Sequence, residues 1–457
     1  MGNRTKLIKR IFLLFLVAIF TFSSLPLANI AAEQQQPLPV KEITEVQTPA
    51  FNTDESVGTS SPIEIIEERS ATEKVFDNGD GSFTKKFFNE PVHINNDGKW
   101  EEVSTKLTKQ DNKHIPENTD INVEFEDRMM NGEYIKFLDS DQTLTISLIK
   151  AVGESGEVSI NTVSSEVREN EIWYKDVFPS IDLKNIVSNS SVKEDIVLHE
   201  YTGHHQFIFE INTTLNPSLK EEGSVEFKDK EGRVVFLLPK PFMMDSFIDP
   251  RLGEGAKSQD VSFSINKQED NVYQLVVEAN ADWLKSPDRK YPIYIDPTVT
   301  KLPIKNFGEA YVTNAFPNSN FSGTKLMESD IGVLRVGYLS ESTGNNWTYI
   351  KKDLSNLKGA SITNATFWVN ASWSYDTTRT PLHIGTVKAA WDPSTITWNN
   401  SPSVTYLSTA QMTRYEWASF NVTNVIQQWA NNPSLNYGFA LYTTTDSKKL
   451  EKVVCQF

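Results

Sequence analysis

The fold class is indicated by two neighbouring stretches of the chain, Val261-Ser262-Phe263-Ser264-Ile265 and Val272-Tyr273-Gln274-Leu275-Val276-Val277-Glu278-Ala279. Both are short and rich in β-branched and aromatic residues, and turn residues separate them, as is typical of strands. Comparable stretches occur at residues 134–138, 143–149, 206–211 and 291–295. Residues 73–298 contain no long apolar stripe with the 3.6-residue period of a helix. They therefore predict an all-β domain with sandwich or barrel packing.

Length and composition limit the classes of protein that the chain can belong to. It has 457 residues, of which 39% are hydrophobic, and a single cysteine. At about 100–200 residues per domain, this length allows two or three domains. The apolar fraction excludes wholesale disorder. One cysteine excludes a disulfide framework and a cysteine-based zinc site.

The charge is unevenly distributed along the chain. Residues 33–300 carry 50 acidic and 27 basic side chains, whereas residues 301–457 carry 10 acidic and 13 basic ones, within a formal net charge of −16. Seven of the ten tryptophans lie between Trp347 and Trp429, so two differently built parts are expected. Because phosphate binding needs clustered Lys and Arg, the acidic balance argues against nucleic acid as the main partner.

The first 32 residues have the three parts of a secretory signal. Four basic side chains precede ten consecutive apolar residues (11–20), and small residues after Pro26 offer a cleavage site. A membrane-spanning helix needs about 20 apolar residues, so export with cleavage is predicted rather than a membrane anchor, and no membrane contact is expected after cleavage. Residues 33–72, rich in Gln, Pro, Glu and Thr, are predicted to form a disordered linker.

Residues 299–457 are also predicted to be all-β, with one short helix over residues 422–430. Its apolar residues follow the i, i+3, i+4, i+7 pattern of a helix that turns one face inward. They are Val422, Val425, Ile426 and Trp429. Asn421 is placed to cap the start of the helix, and Asn431-Asn432-Pro433 to end it. The complete prediction is therefore a chain of β-sandwich-type domains behind a signal peptide and a disordered linker.

The C-terminal part resembles a known family through several motifs together. They are Lys352-Asp353-Leu354-Ser355, Ile362-Thr363-Asn364-Ala365-Thr366-Phe367, Trp391-Asp392-Pro393-Ser394-Thr395-Ile396-Thr397-Trp398-Asn399-Asn400-Ser401-Pro402, Phe420-Asn421-Val422-Thr423 and Asn436-Tyr437-Gly438-Phe439. Over residues 305–445 this combination resembles the DNRLRE-type domain, which is similar to family-96 carbohydrate-binding modules. The resemblance implies a β-sandwich that binds carbohydrate.

The acidic part, residues 73–298, resembles the N-terminal region of wall-associated proteins of Gram-positive bacteria. The motifs are Tyr174-Lys175-Asp176-Val177-Phe178-Pro179-Ser180-Ile181-Asp182-Leu183, Val192-Lys193-Glu194-Asp195-Ile196-Val197-Leu198 and Tyr291-Pro292-Ile293-Tyr294-Ile295-Asp296-Pro297. The resemblance implies an extracellular or wall-associated protein. Full-length relatives continue into RHS/YD repeats and a variable toxin, a nuclease in some of them.

The sequence departs from the family pattern at two places. Lys352 stands where the family has an apolar residue before Asp-Leu-Ser. The tail, residues 447–457, which contains Cys455, does not resemble the family's last strand. We therefore expect a module in residues 299–457 that lacks its last strand and leaves one sheet edge unpaired, in a chain truncated from a longer protein.

Candidate carbohydrate-binding residues lie in the C-terminal module. Sugars stack their C–H faces on aromatic rings, while their hydroxyl groups bond to polar neighbours. The candidates are Trp347, Tyr349, Trp373, Tyr375 and Arg379, with Asn345 and Asn370 as further polar partners. Trp373 and Tyr375 occupy alternate positions, so a strand would point both to one face, where surface and core roles stay equally open. Core positions are predicted for Trp391, Trp398 and Trp429.

Metal and cofactor sites are weakly indicated. Asp77-Asn78-Gly79-Asp80-Gly81 has oxygen ligands of the kind that calcium prefers, but a hairpin turn explains it better. His204 and His205 are adjacent, so in a strand they would point to opposite faces and could not share one metal ion. No cofactor is therefore predicted, and structural calcium is an unsupported alternative.

Three functions remain open from the sequence. The first is a secreted, cell-wall-associated protein that binds wall or extracellular polysaccharide. The second is a remnant of a secreted RHS-repeat toxin without its repeats and nuclease. The third is a polysaccharide-active enzyme, which is disfavoured because the chain has no nucleophile elbow, zinc-protease, Walker or dinucleotide motif. The first reading predicts a non-enzymatic protein whose partner is a cell-wall glycan.

Overall fold

The computed structural model describes residues 61–249, 255–301, 307–322, 334–338, 340–375 and 377–444, and the backbone of 451–456. Residues Glu55–Phe457 form one compact unit. The predicted export signal and the predicted linker up to residue 60 lie outside the described residues. Strands dominate the described part, and the prediction of an all-β chain is confirmed.

The chain first forms five short strands in two groups. They are β1 (Ile63–Glu64), β2 (Glu73–Asp77), β3 (Phe83–Phe87), β4 (His93–Asn96) and β5 (Lys99–Glu102). Strands β1, β2 and β3 form one antiparallel sheet, and β4 pairs with β5. Residues 61–72 are therefore folded, although they were predicted as linker. Strand β1 is held by backbone hydrogen bonds to β2 and not by burial of its apolar side chain, because Ile63 is exposed. A prediction based on apolar composition does not detect such pairing.

The turn between β2 and β3 confirms the hairpin predicted at residues 77–81. Gly79 and Gly81 have φ values of +76° and +84°, which only glycine adopts easily. The Asp77 and Asp80 carboxylates accept hydrogen bonds from the backbone amides of Gly79 and Ser82. These oxygens are therefore engaged in closing the turn.

The acidic domain follows, and its described residues form twenty strands and one short helix. They are β6 (Ser104–Gln110), β7 (Lys113–Asn118), β8 (Asn122–Met130), β9 (Glu133–Asp139), β10 (Gln142–Gly153), β11 (Gly156–Ser159), β12 (Val163–Arg168), β13 (Glu171–Phe178), β14 (Ile181–Val187), β15 (Ser191–Leu198), β16 (His204–Thr213), β17 (Asn216–Leu219), β18 (Val225–Lys228), β19 (Val234–Leu238), β20 (Phe242–Asp245), β21 (Lys257–Ser258), β22 (Val261–Glu269), β23 (Val272–Ala279), α1 (Ala281–Lys285), β24 (Ile293–Asp296) and β25 (Val299–Lys301). All six predicted strands of this domain are present.

The strands of the acidic domain form two antiparallel layers around one core. One layer has the order β6-β7-β8-β9-β10-β16-β23-β22. The other contains β12-β13-β14-β15, continued through β24 to β20 and through β25 to β19 and β18. Strand β12 also pairs with β8 and links the layers. Side chains from both layers, such as Phe207 and Phe227, fill the common core.

The described residues of the C-terminal module form nine strands and one α-helix. They are β26 (Gly308–Thr313), β27 (Leu334–Tyr338), β28 (Asn345–Lys351), β29 (Thr366–Ser374), β30 (Thr380–Val387), β31 (Val404–Met412), β32 (Trp417–Asn421), α2 (Thr423–Asn431), β33 (Phe439–Tyr442) and β34 (Glu451–Gln456). We call β31-β30-β33-β28-β26 the front sheet and β27-β34-β29-β32 the back sheet. Strand β27 also pairs with β28 and joins them.

The helix predicted over residues 422–430 is confirmed, displaced by one residue. The predicted cap differs, because Val422 is the N-cap residue and its side chain makes no cap bond, while the Asn421 carboxamide accepts a hydrogen bond from the Thr423 amide at 3.1 Å. Val425, Ile426 and Trp429 are buried in the core between the two sheets, as the apolar spacing indicates. Helix α2 has nine residues and is the longest described helix, and no described helix has the length and apolar character to cross a membrane.

The prediction that the module lacks its last strand is wrong. Residues 451–456 form β34, which lies between β27 and β29 and pairs with both. Strand pairing uses backbone groups, and a segment rich in β-branched residues can supply them without matching a family motif. The sheet therefore has no unpaired edge at this position.

The first hairpin, formed by β2 and β3, packs on the C-terminal module. Phe87 of β3 belongs to the core cluster that the front and back sheets enclose. The Asn89 carboxamide bonds to Glu309 at 2.7 Å and accepts from the Phe307 amide at 3.1 Å. The predicted boundary at residue 73 thus differs from the structure, because pairing across more than 200 residues cannot be seen in local sequence.

Replacing Phe87 with alanine should lower the free energy of unfolding by about 2 kcal/mol, because a buried phenyl ring would be lost from the module core. Phe87 is 3% exposed, whereas Phe83 of the same strand is 64% exposed. Urea unfolding of Phe87→Ala and of the control Phe83→Ala tests this. Equal stability of the two variants would contradict the docking of this hairpin.

Candidate carbohydrate-binding surface

The outer face of the front sheet carries a second hydrophobic cluster. It contains Val312, Tyr349 and Ala440 from adjacent strands, with Trp391 and Trp398 packed against it. The Trp391 indole N–H donates to the Tyr437 carbonyl at 2.8 Å. The segment between β30 and β31 therefore folds over this face. Trp391 and Trp398 have the packing roles predicted for them, as does Trp429 in the main core.

Four rings continue from this cluster across the same face, and we call them the aromatic row. They are Trp347, Tyr442, His383 and Tyr406, on β28, β33, β30 and β31. His383 lies opposite Tyr442 in the register of β30 and β33. Trp347 stacks on Tyr442, with ring centroids 4.7 Å apart and planes at 27°. The centroid separations are 5.4 Å from Tyr442 to His383 and 6.0 Å from His383 to Tyr406.

Polar groups accompany the aromatic row. His383 Nδ1 lies 2.7 Å from the Thr409 hydroxyl, and its Nε2 lies 3.3 Å from that of Thr444. The Tyr406 hydroxyl also contacts Thr409. Burial lowers the pKa of His383, so the ring is neutral at neutral pH. Tyr406 is 58% exposed, and the other three rings are partly buried, so the row combines apolar faces with hydroxyl groups at the surface.

Two of the predicted carbohydrate-binding residues lie at this face, but in different environments. Trp347 belongs to the aromatic row. Tyr349 is 1% exposed, its ring packs edge-on against Trp391, and its hydroxyl donates to the Pro402 carbonyl. The covering segment therefore leaves Tyr349 no free ring face, and its predicted role as a sugar platform does not agree with this packing.

The other predicted residues lie on or beside the back sheet. A register shift between Ala371 and Trp373 interrupts the alternation, and β29 ends at Ser374, before Tyr375. Trp373 and Tyr375 are both partly buried, and the Arg414 guanidinium lies 5.7 Å from the Trp373 ring. Arg379 is paired with Glu416 at 2.7 Å. The structure therefore does not join this group to Trp347 and Tyr349 in one site.

The two asparagines proposed as polar partners are also separated. Asn370 is buried in the back sheet and donates to the Glu416 carbonyl at 3.2 Å. Asn345 begins β28, and its amide donates to the side chain of Asn314 at 2.7 Å. Both residues thus make bonds within the module.

Sequence reasoning missed Tyr442, His383 and Tyr406. Each is a single aromatic or imidazole ring in a different strand, with no local pattern around it. Their proximity depends on the non-sequential strand order β31-β30-β33-β28. Strand alternation alone could have assigned Tyr442 on β33 and His383 on β30 to a face.

The paired histidines lie at the start of β16. The His204 imidazole contacts the Thr202 hydroxyl at 2.9 Å, and both histidines are partly buried. Desolvation, with His205 nearby, lowers the pKa of His204, so its ring is neutral at neutral pH. His204 is thus held by a local hydrogen bond.

Comparison with known proteins identifies the C-terminal module first. Residues 301–452 match the model of carbohydrate-binding module family 96, so the nine-stranded unit is a carbohydrate-binding-type module. A 201-residue stretch, 42% of the chain, is 41% identical to the "Wall-associated protein" of Geobacillus stearothermophilus and covers 79% of it. The chain belongs to the family of wall-associated proteins.

Longer relatives match almost the whole chain. Over 435 residues, 93% of the chain, it is 34% identical to the "tRNA nuclease WapA" of Bacillus subtilis strain 168 and to the "tRNA3(Ser)-specific nuclease WapA" of Bacillus spizizenii. The chain spans 18% of the length of each of these relatives. The similarity to a solved xanthan lyase from Paenibacillus is weak. The TM-score is 0.11, and the identity is 10% over 84% of this chain and 39% of that chain.

Proposed function

We propose that the chain is a secreted binding protein of the bacterial cell wall, and that its C-terminal module binds wall or extracellular polysaccharide through the aromatic row. The observation that supports this is the alignment of four rings on four adjacent strands. Because neighbouring strands lie about 4.8 Å apart, the row is roughly 14 Å long and could contact several sugar units of one chain. The ring surface that stays accessible along the row would contact sugar rings, and its hydroxyl groups would bond to sugar hydroxyls.

The acidic domain would serve as a stalk or scaffold for this module. Residues 33–300 carry a large acidic excess, and wall teichoic acid is also acidic, so this part would be repelled by the polymer. The near-neutral C-terminal module would not be repelled by the polymer in this way. Attachment to the wall is therefore assigned to the module.

Tyr406→Ala and Trp347→Ala should each weaken polysaccharide binding about tenfold, because each removes an aromatic plane from the row. The assay is sedimentation of the full chain with purified peptidoglycan, teichoic-acid-free wall and soluble polysaccharides. Tyr415→Asn is the matched control: Tyr415 is an exposed tyrosine outside the row with φ of +61°, a value that asparagine tolerates.

The same assay separates the row from the surface predicted on the back sheet. Loss of binding in Trp373→Ala, with Tyr406→Ala unaffected, would move the site to Trp373 and Tyr375. Absence of binding by the folded wild-type chain to every glycan would refute the proposed function.

Catalysis is tested in parallel, since relatives of the chain are named as nucleases. We expect the full chain to release no reducing sugar from the glycans it binds and to leave tRNA intact. Release of reducing sugar would favour a polysaccharide-active enzyme. Cleavage of tRNA would overturn the proposal that this part of the family is a binding protein.

A further inference from the structure

A buried histidine faces two carboxylates where the first strands meet. His93 of β4 lies directly opposite Glu102 of β5, and Glu64 of β1 approaches from the neighbouring sheet. His93 Nε2 lies 3.5 Å from Glu102 Oε1 and 3.7 Å from Glu64 Oε1. The His93 side chain has no exposed surface, and its Nε2 makes no hydrogen bond.

The tautomer of His93 follows from its other nitrogen. His93 Nδ1 lies 2.7 Å from the Ser70 carbonyl oxygen, which can only accept, so Nδ1 carries a proton and donates. In the neutral ring Nε2 then presents a lone pair to two carboxylate oxygens. A buried lone pair that faces two carboxylate oxygens stays unsatisfied unless a cation or a proton lies between them.

We propose that Glu64, His93 and Glu102 bind a divalent transition-metal cation of the Zn²⁺ type. Imidazole nitrogen and carboxylate oxygen are zinc ligands with bonds of about 2.1 Å, and a tetrahedral ion holds neighbouring ligand atoms about 3.4 Å apart. The observed separations of 3.5 and 3.7 Å match that spacing. A ligating histidine commonly donates its second ring nitrogen to a backbone carbonyl, as His93 does to Ser70.

Two side-chain cations compete for the same carboxylates. Arg69 binds both Glu64 oxygens at 2.8 Å and Glu102 Oε1 at 2.9 Å. Lys74 binds both Glu102 oxygens at 2.6 and 2.7 Å. Glu102 is the most exposed ligand, with 48% of its side chain accessible. The metal ion therefore displaces Lys74 from Glu102 and Arg69 from the two Oε1 atoms that face His93, while Arg69 keeps its bond to Glu64 Oε2.

The bound ion joins elements that are otherwise held by few contacts. Strand β1 has two residues, and β4 and β5 form a separate two-stranded sheet. Coordination ties β1 to both strands of that sheet, close to the hairpin that packs on the C-terminal module. The site would hold the first described strands together, with a coordination position open to water.

The test is equilibrium dialysis of tag-free full chain against ZnCl2. We expect one ion per chain, an affinity at least about tenfold weaker in His93→Gln, and unchanged binding in His205→Gln, a partly buried histidine outside the cluster. Lys74→Gln should tighten binding roughly threefold, because it removes a competing cation. If His93→Gln does not fold, Glu102→Gln replaces it, because that side chain is half exposed.

Two results would overturn the proposal. One is the absence of saturable 1:1 binding by the folded wild-type chain, in which case a proton on Nε2 supplies the positive charge. The other is zinc binding that survives in His93→Gln or Glu102→Gln with undiminished affinity, which would place the ion elsewhere.

Discussion

Glu194→Gln should abolish most of the loss of stability that the chain suffers between pH 5 and pH 8, a difference of roughly 3–4 kcal/mol in the free energy of unfolding. Glu194 lies on β15 in the core of the acidic domain and accepts a hydrogen bond from the buried Tyr134 hydroxyl. Burial raises its pKa to about 8, with the nearby carboxylates of Asp296 and Asp195 adding to the effect.

The direction follows from the two states of the chain. Below pH 4.5 the Glu194 carboxyl is protonated in both the folded and the unfolded chain, so the free energy of unfolding is not reduced by its titration. From there to about pH 8 the unfolded chain ionises while Glu194 in the folded chain retains its proton, so the free energy of unfolding falls. Above pH 8 the folded state ionises too and no further loss occurs. Glutamine does not ionise, and it can still accept from Tyr134.

Urea unfolding at pH 5 and pH 8 measures this effect. Glu221→Gln, on an exposed turn, is the matched control and should keep the pH dependence of the wild type. The comparison between variants removes the contribution of other titrating groups, because they are common to all three proteins. Identical pH dependence of the wild type and Glu194→Gln would refute the assignment of a neutral buried carboxyl.

Trp429→Ala should destabilise the C-terminal module by about 3–5 kcal/mol, because it removes the largest side chain that fixes α2 to the core. Trp429 is 6% exposed, and its ring centroid lies 4.8 Å from that of Phe439 on β33. The indole thus connects the helix to the front sheet.

The adjacent Gln428 provides the control for this variant. Its side chain is exposed on the opposite face of α2, so Gln428→Ala should leave stability nearly unchanged. Differential scanning calorimetry of both variants makes the comparison. A Trp429→Ala protein as stable as Gln428→Ala would show that α2 is not anchored through this face.

The local sequence pattern could predict those elements whose deciding interactions join residues close together in the chain. The spacing of Val425, Ile426 and Trp429 indicated a helix and its buried face, and both are present. The glycines of residues 77–81 indicated a turn, and backbone dihedral angles confirm it. In each case the deciding interactions lie within a few residues.

The elements that sequence could not predict depend on distant pairing. Trp347 was recognised as a candidate, but its neighbours in the aromatic row come from strands that are not consecutive in the chain. Tyr349 was recognised too, but the segment that covers it lies about 50 residues away. The cluster around His93 joins three strands whose separation is set by tertiary folding. Burial and register, which decide these roles, are not local properties.

The position of β34 has a consequence for how the module is assembled. This strand comes after the other eight in the chain, yet it lies inside the back sheet between β27 and β29. In a chain that emerges from its N-terminus, β27 and β29 would wait with open edges until residues 451–456 arrive, and open edges invite pairing with other chains. The back sheet of the module is therefore completed only when residues 451–456 have emerged. Until then, a factor that keeps β27 and β29 from pairing with other chains would be useful.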